Sequence, residues 1–357
     1  MDHNSQYTRL KRVYSGPYSD IYEAKNDENV IVALKVVDSD ITIKPHSINR
    51  EIKILKKLQS SRIVRYIDDY RVNEDVILVS EFYQYNLQQL LTSKYTKKTT
   101  KFNFDDPMNN SIIYTSNIEN KSLEMLLLSL AEGLSYIHDQ GIIHRDIKPT
   151  NIYFINDDIT TPVIGDFGIS YDNNDAQQLI EEPIDCKYTD ISSGMYKPPE
   201  LCFGVTDYNY EVDIWSLGIM MTMLYSNNFE SILTKFEIHN DLSLINALFT
   251  CFGTPYVSKQ SESDSDPSQK IDDKDDDPLY WPRMNDGEKY HFKAFEFVRR
   301  DRMACKQLLP KCNNEDIKRL FNRIMMYEGT KRITSQQLYR ELSALVKSLD
   351  VTDLINK

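Results

Sequence analysis

The sequence is short of the features that mark several protein classes. No apolar run reaches the roughly 18 residues that a membrane-crossing helix needs; Leu217 to Tyr225 is among the longest. The first residues, MDHNSQYTRLKRVYSG, hold no apolar core of the kind a secretory signal carries. Cysteine is sparse: five residues, at 186, 202, 251, 305 and 312, form neither a C-x-x-C pair nor a ladder of half-cystines. Free thiols in a reducing compartment, the cytoplasm or the nucleus, are expected. The six histidines are equally scattered, which argues against a His/Cys zinc site. Positive charge is short as well: 42 Lys and Arg against 54 Asp and Glu leave a net charge of −12. Binding nucleic acid by bulk charge and a polybasic membrane contact are therefore not expected. No repeat with a period of about 20–50 residues stands out.

What is present is an ordinary globular balance, 41% apolar and 27% charged over 357 residues, which excludes a chain disordered throughout. At roughly 150 residues per domain, this length suggests two structural units with a full core. Val30 to Val37 (VIVALKVV) is a β-branched apolar run and reads as a strand, as does Val76 to Ser80 (VILVS). Between them, INREIKILKKL sets Ile48, Ile52, Leu55 and Leu58 at helical spacing. Beyond residue 85 the pattern turns helical. Ser122 to His138 has a broad apolar face, and Ile214 to Leu224 is apolar all round, hence a buried helix. Ser335 to Leu349 carries Leu338, Leu342, Leu345, Val346 and Leu349 on one face. The expected architecture is α+β, a β-rich lobe over residues 1–83 and a larger helical lobe over 84–357.

Two stretches break this pattern. Ser93 to Asn120 is polar and rich in Lys, Thr and Asn, while Ser258 to Pro278 is acidic and nearly free of apolar residues. Both read as mobile surface insertions, solvated loops without function; for the second the alternative is an interaction or phosphorylation tail. Ser261, Ser263 and Ser265 have acidic residues downstream, the setting an acid-directed kinase uses.

The most specific stretch is IIHRDIKPTNI, Ile142 to Ile152, followed by Asp166-Phe167-Gly168. With HRD-x-K-x-x-N and DFG both intact, the chain resembles a eukaryotic protein kinase over about residues 9–349, apart from the two insertions. The resemblance implies a bilobal fold with ATP and Mg²⁺ between the lobes. Phosphoryl transfer spreads charge over the γ-phosphoryl oxygens, so it calls for positioning and cations. Asp146 is then expected to orient the substrate hydroxyl and accept its proton, and Lys148 to neutralise the moving phosphoryl. Asn151 and Asp166 are expected to hold Mg²⁺. Lys35, at the end of VALK, lies where the family grips the α/β-phosphates, and Glu51 lies where its helical partner stands. Glu200 in MYKPPE and Arg332 match a buried pair that braces the substrate segment. Asp213 matches the carboxylate that fixes the catalytic loop. The nucleotide site is expected to be lined by Val13, Gly16, Ile21, Ala33, Lys35, Ser80, Glu81, Tyr83 and Tyr153. Ser80 falls at the gatekeeper position, where many relatives carry Phe.

The glycine-rich loop departs from the family. The pattern G-x-G-x-x-G falls on Tyr14, Gly16 and Ser19, so one glycine remains, and Pro17 lacks an N–H. Either the cations and metal suffice for nucleotide binding, or the chain is a silent pseudokinase scaffold. The intact charged residues favour the enzyme.

DIKPTN and Ser193, seven residues before Glu200, resemble Ser/Thr kinases. FTCFGTP with Trp281-Pro282, and the REI-x-x-L-K-x-L half of the helix near Glu51, resemble cyclin-dependent kinases. Met195-Tyr196-Lys197 replaces the W-Y-R that favours proline-directed substrates. A phosphate at Thr189 would ordinarily pair with Arg145; Glu181, Glu182, Asp185 and Asp190 lie near enough in sequence to satisfy Arg145 instead. Taken together, the chain looks most like the single-subunit, fungal-type CDK-activating kinases. That resemblance implies a monomer without an obligate cyclin, acting on the activation-loop Thr of a cyclin-dependent kinase. Another relative with different protein substrates is the alternative.

Overall fold

The computed structural model describes residues 6–38, 43–101, 111–256, 277–285, 290 and 296–355, with side chains as far as residue 348. Five strands, β1 (Tyr7–Ser15), β2 (Asp20–Asn26), β3 (Ile31–Asp38), β4 (Tyr66–Val72) and β5 (Asp75–Glu81), form an antiparallel sheet in the order β1-β2-β3-β5-β4. On β3 the side chains alternate. Val32 and Leu34 join Tyr7, Ala24, Tyr70, Ile77 and Val79 in a core on one face of the sheet. Ala33 and Lys35 therefore point to the other face, toward the cleft. Lys35 pairs with Leu78 and Ala33 with Ser80 across the ladder.

One helix, α1 (Ile48–Lys57), crosses this face. Ser47 caps it by accepting the Arg50 N–H at 3.2 Å, and the Ser47 N–H donates to the Gly168 carbonyl at 2.8 Å. The helix is thus tied at its first turn to the DFG segment.

The rest of the chain is largely helical. The Glu211–Leu224 helix is buried from Val212 to Leu224, as its uniform apolarity predicts. It meets the Asn120–Asp139 helix where His138 lies 3.0 Å from Asp213, and the final Ser335–Ile355 helix, packed along Asn120–Asp139, buries Leu338, Leu342 and Val346. Leu345 is partly buried, and Leu349 lies outside the described side chains. All five cysteines are free thiols. Among the described residues, no helix is long and apolar enough to cross a membrane.

The 93–120 insertion differs from the expected loop. Thr96–Lys101 and Ser111–Ser116 pair in register as an antiparallel hairpin. It is fastened to the helical lobe where Lys311 Nζ donates to the Ser116 carbonyl at 2.9 Å and Ser116 N–H to the Asn227 carbonyl. Both hairpin faces are largely exposed, so neither strand needs the apolar alternation that reveals a half-buried one. Most of the acidic insertion, with Ser261, Ser263 and Ser265, lies outside the described residues.

Candidate active site

Lys35, Glu51 and Asp166, far apart in the chain, meet in the cleft. Lys35 Nζ lies 2.7 Å from Glu51 Oε2 and 2.8 Å from Asp166 Oδ1. Glu51 is buried, and a buried carboxylate needs such a partner. Burial works to lower the Lys35 pKa, but Asp166 and Glu51 outweigh it and raise it above the ordinary lysine value. Burial likewise pushes Asp166 up, yet Lys35 holds its carboxyl well below the usual carboxylate range. The site therefore keeps a fixed cation beside a fixed anion.

The catalytic-loop residues form a second cluster. Ser193 Oγ donates to Asp146 Oδ1 at 2.8 Å and accepts from Lys148 Nζ at 2.7 Å, and Lys148 Nζ is also 2.7 Å from Asp146 Oδ2. Asn151 Nδ2 donates to the Asp146 carbonyl at 2.9 Å and to its Oδ2 at 3.0 Å. The buried Asp213 carboxylate fixes the loop, accepting the N–H groups of His144 and Arg145 at 2.8 Å each. The neighbouring His138 ring lies 3.0 Å from Asp213 and helps hold that carboxyl's pKa down against burial. Arg145 and Asp166 adopt φ of 71° and 64°. Non-glycine residues reach this left-handed region only when their surroundings impose it; at Arg145, the Asp213 bonds do so.

Asn151 and Asp166 carry the hard oxygen donors that suit Mg²⁺, a metal that keeps waters and phosphate oxygens as its other ligands. The Gly165 N–H donates to the Asn151 carbonyl at 3.0 Å, which holds the two residues side by side. Among the described residues no cluster of three His, Cys, Asp or Glu forms a protein-only metal site.

The residues expected to line the nucleotide site are joined through the sheet. Tyr14 pairs with Ile21, Ile21 with Lys35, and Ala33 with Ser80, which precedes Glu81 in β5. Val13, in β1, is exposed. The Tyr83 and Tyr153 rings are 6.0 Å apart, and Tyr83 Oη donates to Glu81 Oε2 at 3.0 Å. Tyr153 lies against Gly165, where an added Cβ would come within 2.9 Å of its ring. Gly16 is covered by Tyr14: a Cβ there would lie 2.3 Å from Tyr14 Oη.

The activation segment settles which carboxylate meets Arg145. It is Glu182, whose Oε1 accepts from Arg145 Nη2 at 2.6 Å, with the two side chains 1% and 0% exposed. The same oxygen accepts the Tyr188 N–H at 2.8 Å. The Arg145 guanidinium rests 4.6 Å from the Tyr171 ring centroid and 5.5 Å from that of Tyr208. Lys187, which the sequence reading missed, is buried beside the same two rings and donates to the Tyr208 carbonyl at 2.9 Å. Farther along, Lys197 pairs with Asp241 at 2.9 Å. Glu200 Oε2 lies 2.7 Å from Arg332 Nη2, and the Arg332 guanidinium covers the Trp215 ring at 4.8 Å.

Against known proteins, the model of the protein kinase domain matches residues 7–342. The chain belongs to the protein kinase family. Among curated kinases it is 35% identical over 235 residues to serine/threonine-protein kinase CAK1 of Saccharomyces cerevisiae, covering 61% of this chain and 60% of that one. To human serine/threonine-protein kinase MAK it is 25% identical over 339 residues, covering 93% of this chain and 44% of MAK. The match therefore spans less than two thirds of either relative's length. A chain of the yeast RNA Pol II CTD kinase CTDK-1 complex shares the kinase fold with a TM-score of 0.68 and 22% identity, over 93% of this chain and 90% of that one. The fold is thus the bilobal α+β protein-kinase fold, and these curated relatives are serine/threonine-protein kinases.

Proposed function

We propose that the chain transfers the ATP γ-phosphoryl to a Ser or Thr of a protein, and that its substrate is the activation-loop Thr of a cyclin-dependent kinase. The observation that carries the enzyme reading over the scaffold reading is the closed Lys35–Glu51–Asp166 cluster. A pseudokinase has no need to keep these charges in register, and leaving the buried Glu51 without Lys35 would be costly. In this reading Asn151 and Asp166 would hold Mg²⁺, which would supply positive charge against the phosphates. Lys35 holds the α/β-phosphates. Asp146 receives the substrate hydroxyl and takes its proton. Lys148, hydrogen-bonded to Ser193, faces the transferring group. The nucleotide base rests among Val13, Ile21, Ala33, Ser80, Glu81, Tyr83 and Tyr153.

The substrate assignment is supported by the likeness to yeast CAK1 and by Met195-Tyr196-Lys197, which gives up the W-Y-R of proline-directed relatives. A kinase acting without a cyclin is supported by the Lys35–Glu51 bond, which closes within one chain. The MAK likeness over 93% of the chain favours the alternative, a related kinase with other protein substrates. Phosphotransfer lost in a folded Asp146→Asn variant separates enzyme from scaffold; unchanged phosphotransfer would contradict the enzyme reading.

A further inference from the structure

The loop that cradles phosphates in this family keeps one glycine here, and that glycine is occupied by Tyr14. Pro17 offers no N–H. The tip is held by other means. The Gly16 N–H donates to the Ser19 carbonyl at 3.0 Å, closing a turn with Pro17 and Tyr18 at its apex. The Tyr18 ring lies flat on the His46 imidazole, with centroids 4.0 Å apart and planes 19° from parallel. Tyr18 is 41% exposed, so the stack is not a core contact.

His46 has a fixed base. It precedes Ser47, which caps α1 through its side chain and bonds Gly168 through its N–H. A Cβ added at Gly168 would lie 3.4 Å from Asp166 Oδ1 and 3.7 Å from Lys35 Nζ, so the Ser47–Gly168 bond sets the His46 backbone beside the phosphate end of the cleft. The stack thus joins the tip of the β1–β2 turn to the segment that starts α1, which is itself hydrogen-bonded to Gly168 of the DFG turn.

We propose that Tyr18 and His46 form a clasp that holds the loop tip over the phosphates of a bound nucleoside triphosphate, in place of the grip the missing glycines give. The pair are positioning residues: they act by fixing the lid, not by touching the reacting oxygens. The inference rests on the kinase reading, because it needs a triphosphate in the cleft.

The test is equilibrium titration of a non-hydrolysable Mg²⁺·ATP analogue, and separately of adenosine, into the full chain and into Tyr18→Ala, His46→Ala, the double variant and His46→Phe. A stacked ring pair is worth enough to change affinity by roughly three- to tenfold. Each alanine variant should weaken the triphosphate analogue by that factor and leave adenosine unchanged. The double variant should be no worse than either single one, because both remove the same contact. His46→Phe, which keeps a ring to stack on, should restore most of the affinity. Unchanged triphosphate affinity, an equal loss for adenosine, or additive losses would overturn the clasp. A wild-type chain that binds neither ligand would overturn the kinase reading itself, and so the two failures are distinguishable.

Discussion

Arg145 of the catalytic loop and Glu182 of the activation segment form a fully buried ion pair, Nη2 to Oε1 at 2.6 Å. In kinases switched by phosphorylation, a phosphate on the activation segment supplies the anion for this arginine. Here a carboxylate from the chain itself does so, and the same oxygen pins the backbone at Tyr188, next to Thr189. Thr189→Ala should therefore leave activity within about twofold of wild type, whereas Glu182→Ala should be strongly destabilising. Removing one partner of a buried pair typically costs about 3–5 kcal/mol. Thermal unfolding and phosphotransfer assays on unphosphorylated protein check both; a requirement for phosphate on Thr189 would contradict the account.

Ser193 bridges Asp146 and Lys148 with two short hydrogen bonds. Bonds to charged groups are worth about 1.5–3 kcal/mol. Ser193→Ala should thus lower kcat by roughly 10- to 100-fold. Ser193→Thr, which keeps a hydroxyl, should retain more of the rate. ATP KM should change little, since Ser193 contacts the catalytic loop and not the β1–β2 turn. An equal fall in both variants would show that the hydroxyl is not the operative group.

Ser80 sits across the ladder from Ala33, and we propose that it stands at the gatekeeper position behind the nucleotide base. A side chain this small leaves room that Phe would fill, so purine inhibitors with bulky substituents should bind the wild-type chain. Ser80→Phe should weaken them by at least about tenfold, the scale of one lost apolar pocket, with a smaller effect on ATP KM. Equal potency against both proteins would place Ser80 away from the purine.

Asp166 gives a sign for acid stability. Its folded pKa is held below the ordinary carboxylate value by Lys35, despite burial. The stabilisation it contributes is fully present above the unfolded-state pKa of about 4. It is lost as pH falls through the lower folded value. Wild type should therefore lose stability more steeply than Asp166→Asn below about pH 4, as followed by thermal unfolding across pH. Parallel curves would mean that the Lys35–Asp166 pair contributes nothing to this slope.

Much of the frame was legible because its signals are local. The β-branched run through Lys35 and the helical spacing of Ile52 and Leu55 around Glu51 announce a strand and a helix, and motif spacing picks out Asp146, Asn151 and Asp166. The hairpin of Thr96–Lys101 and Ser111–Ser116 was missed because both its faces are largely exposed, so its strands carry no apolar alternation to read. Glu182 could be shortlisted but not chosen among four nearby carboxylates, since only the folded segment selects the one that turns inward. The Tyr18–His46 stack and the buried Lys187 left no sequence signal at all: each depends on how distant backbone segments meet.

The most direct measurement of the central claim is phosphate incorporation into a cyclin-dependent kinase whose activation-loop Thr is its only available acceptor. Purified wild-type chain, with ATP and Mg²⁺ and no cyclin added for the enzyme, should phosphorylate that Thr. The Asp146→Asn chain, folded to the same melting temperature, should not. Robust phosphorylation of a generic Ser/Thr substrate with none on that Thr would contradict the substrate assignment, and equal incorporation by both chains would contradict the catalytic one.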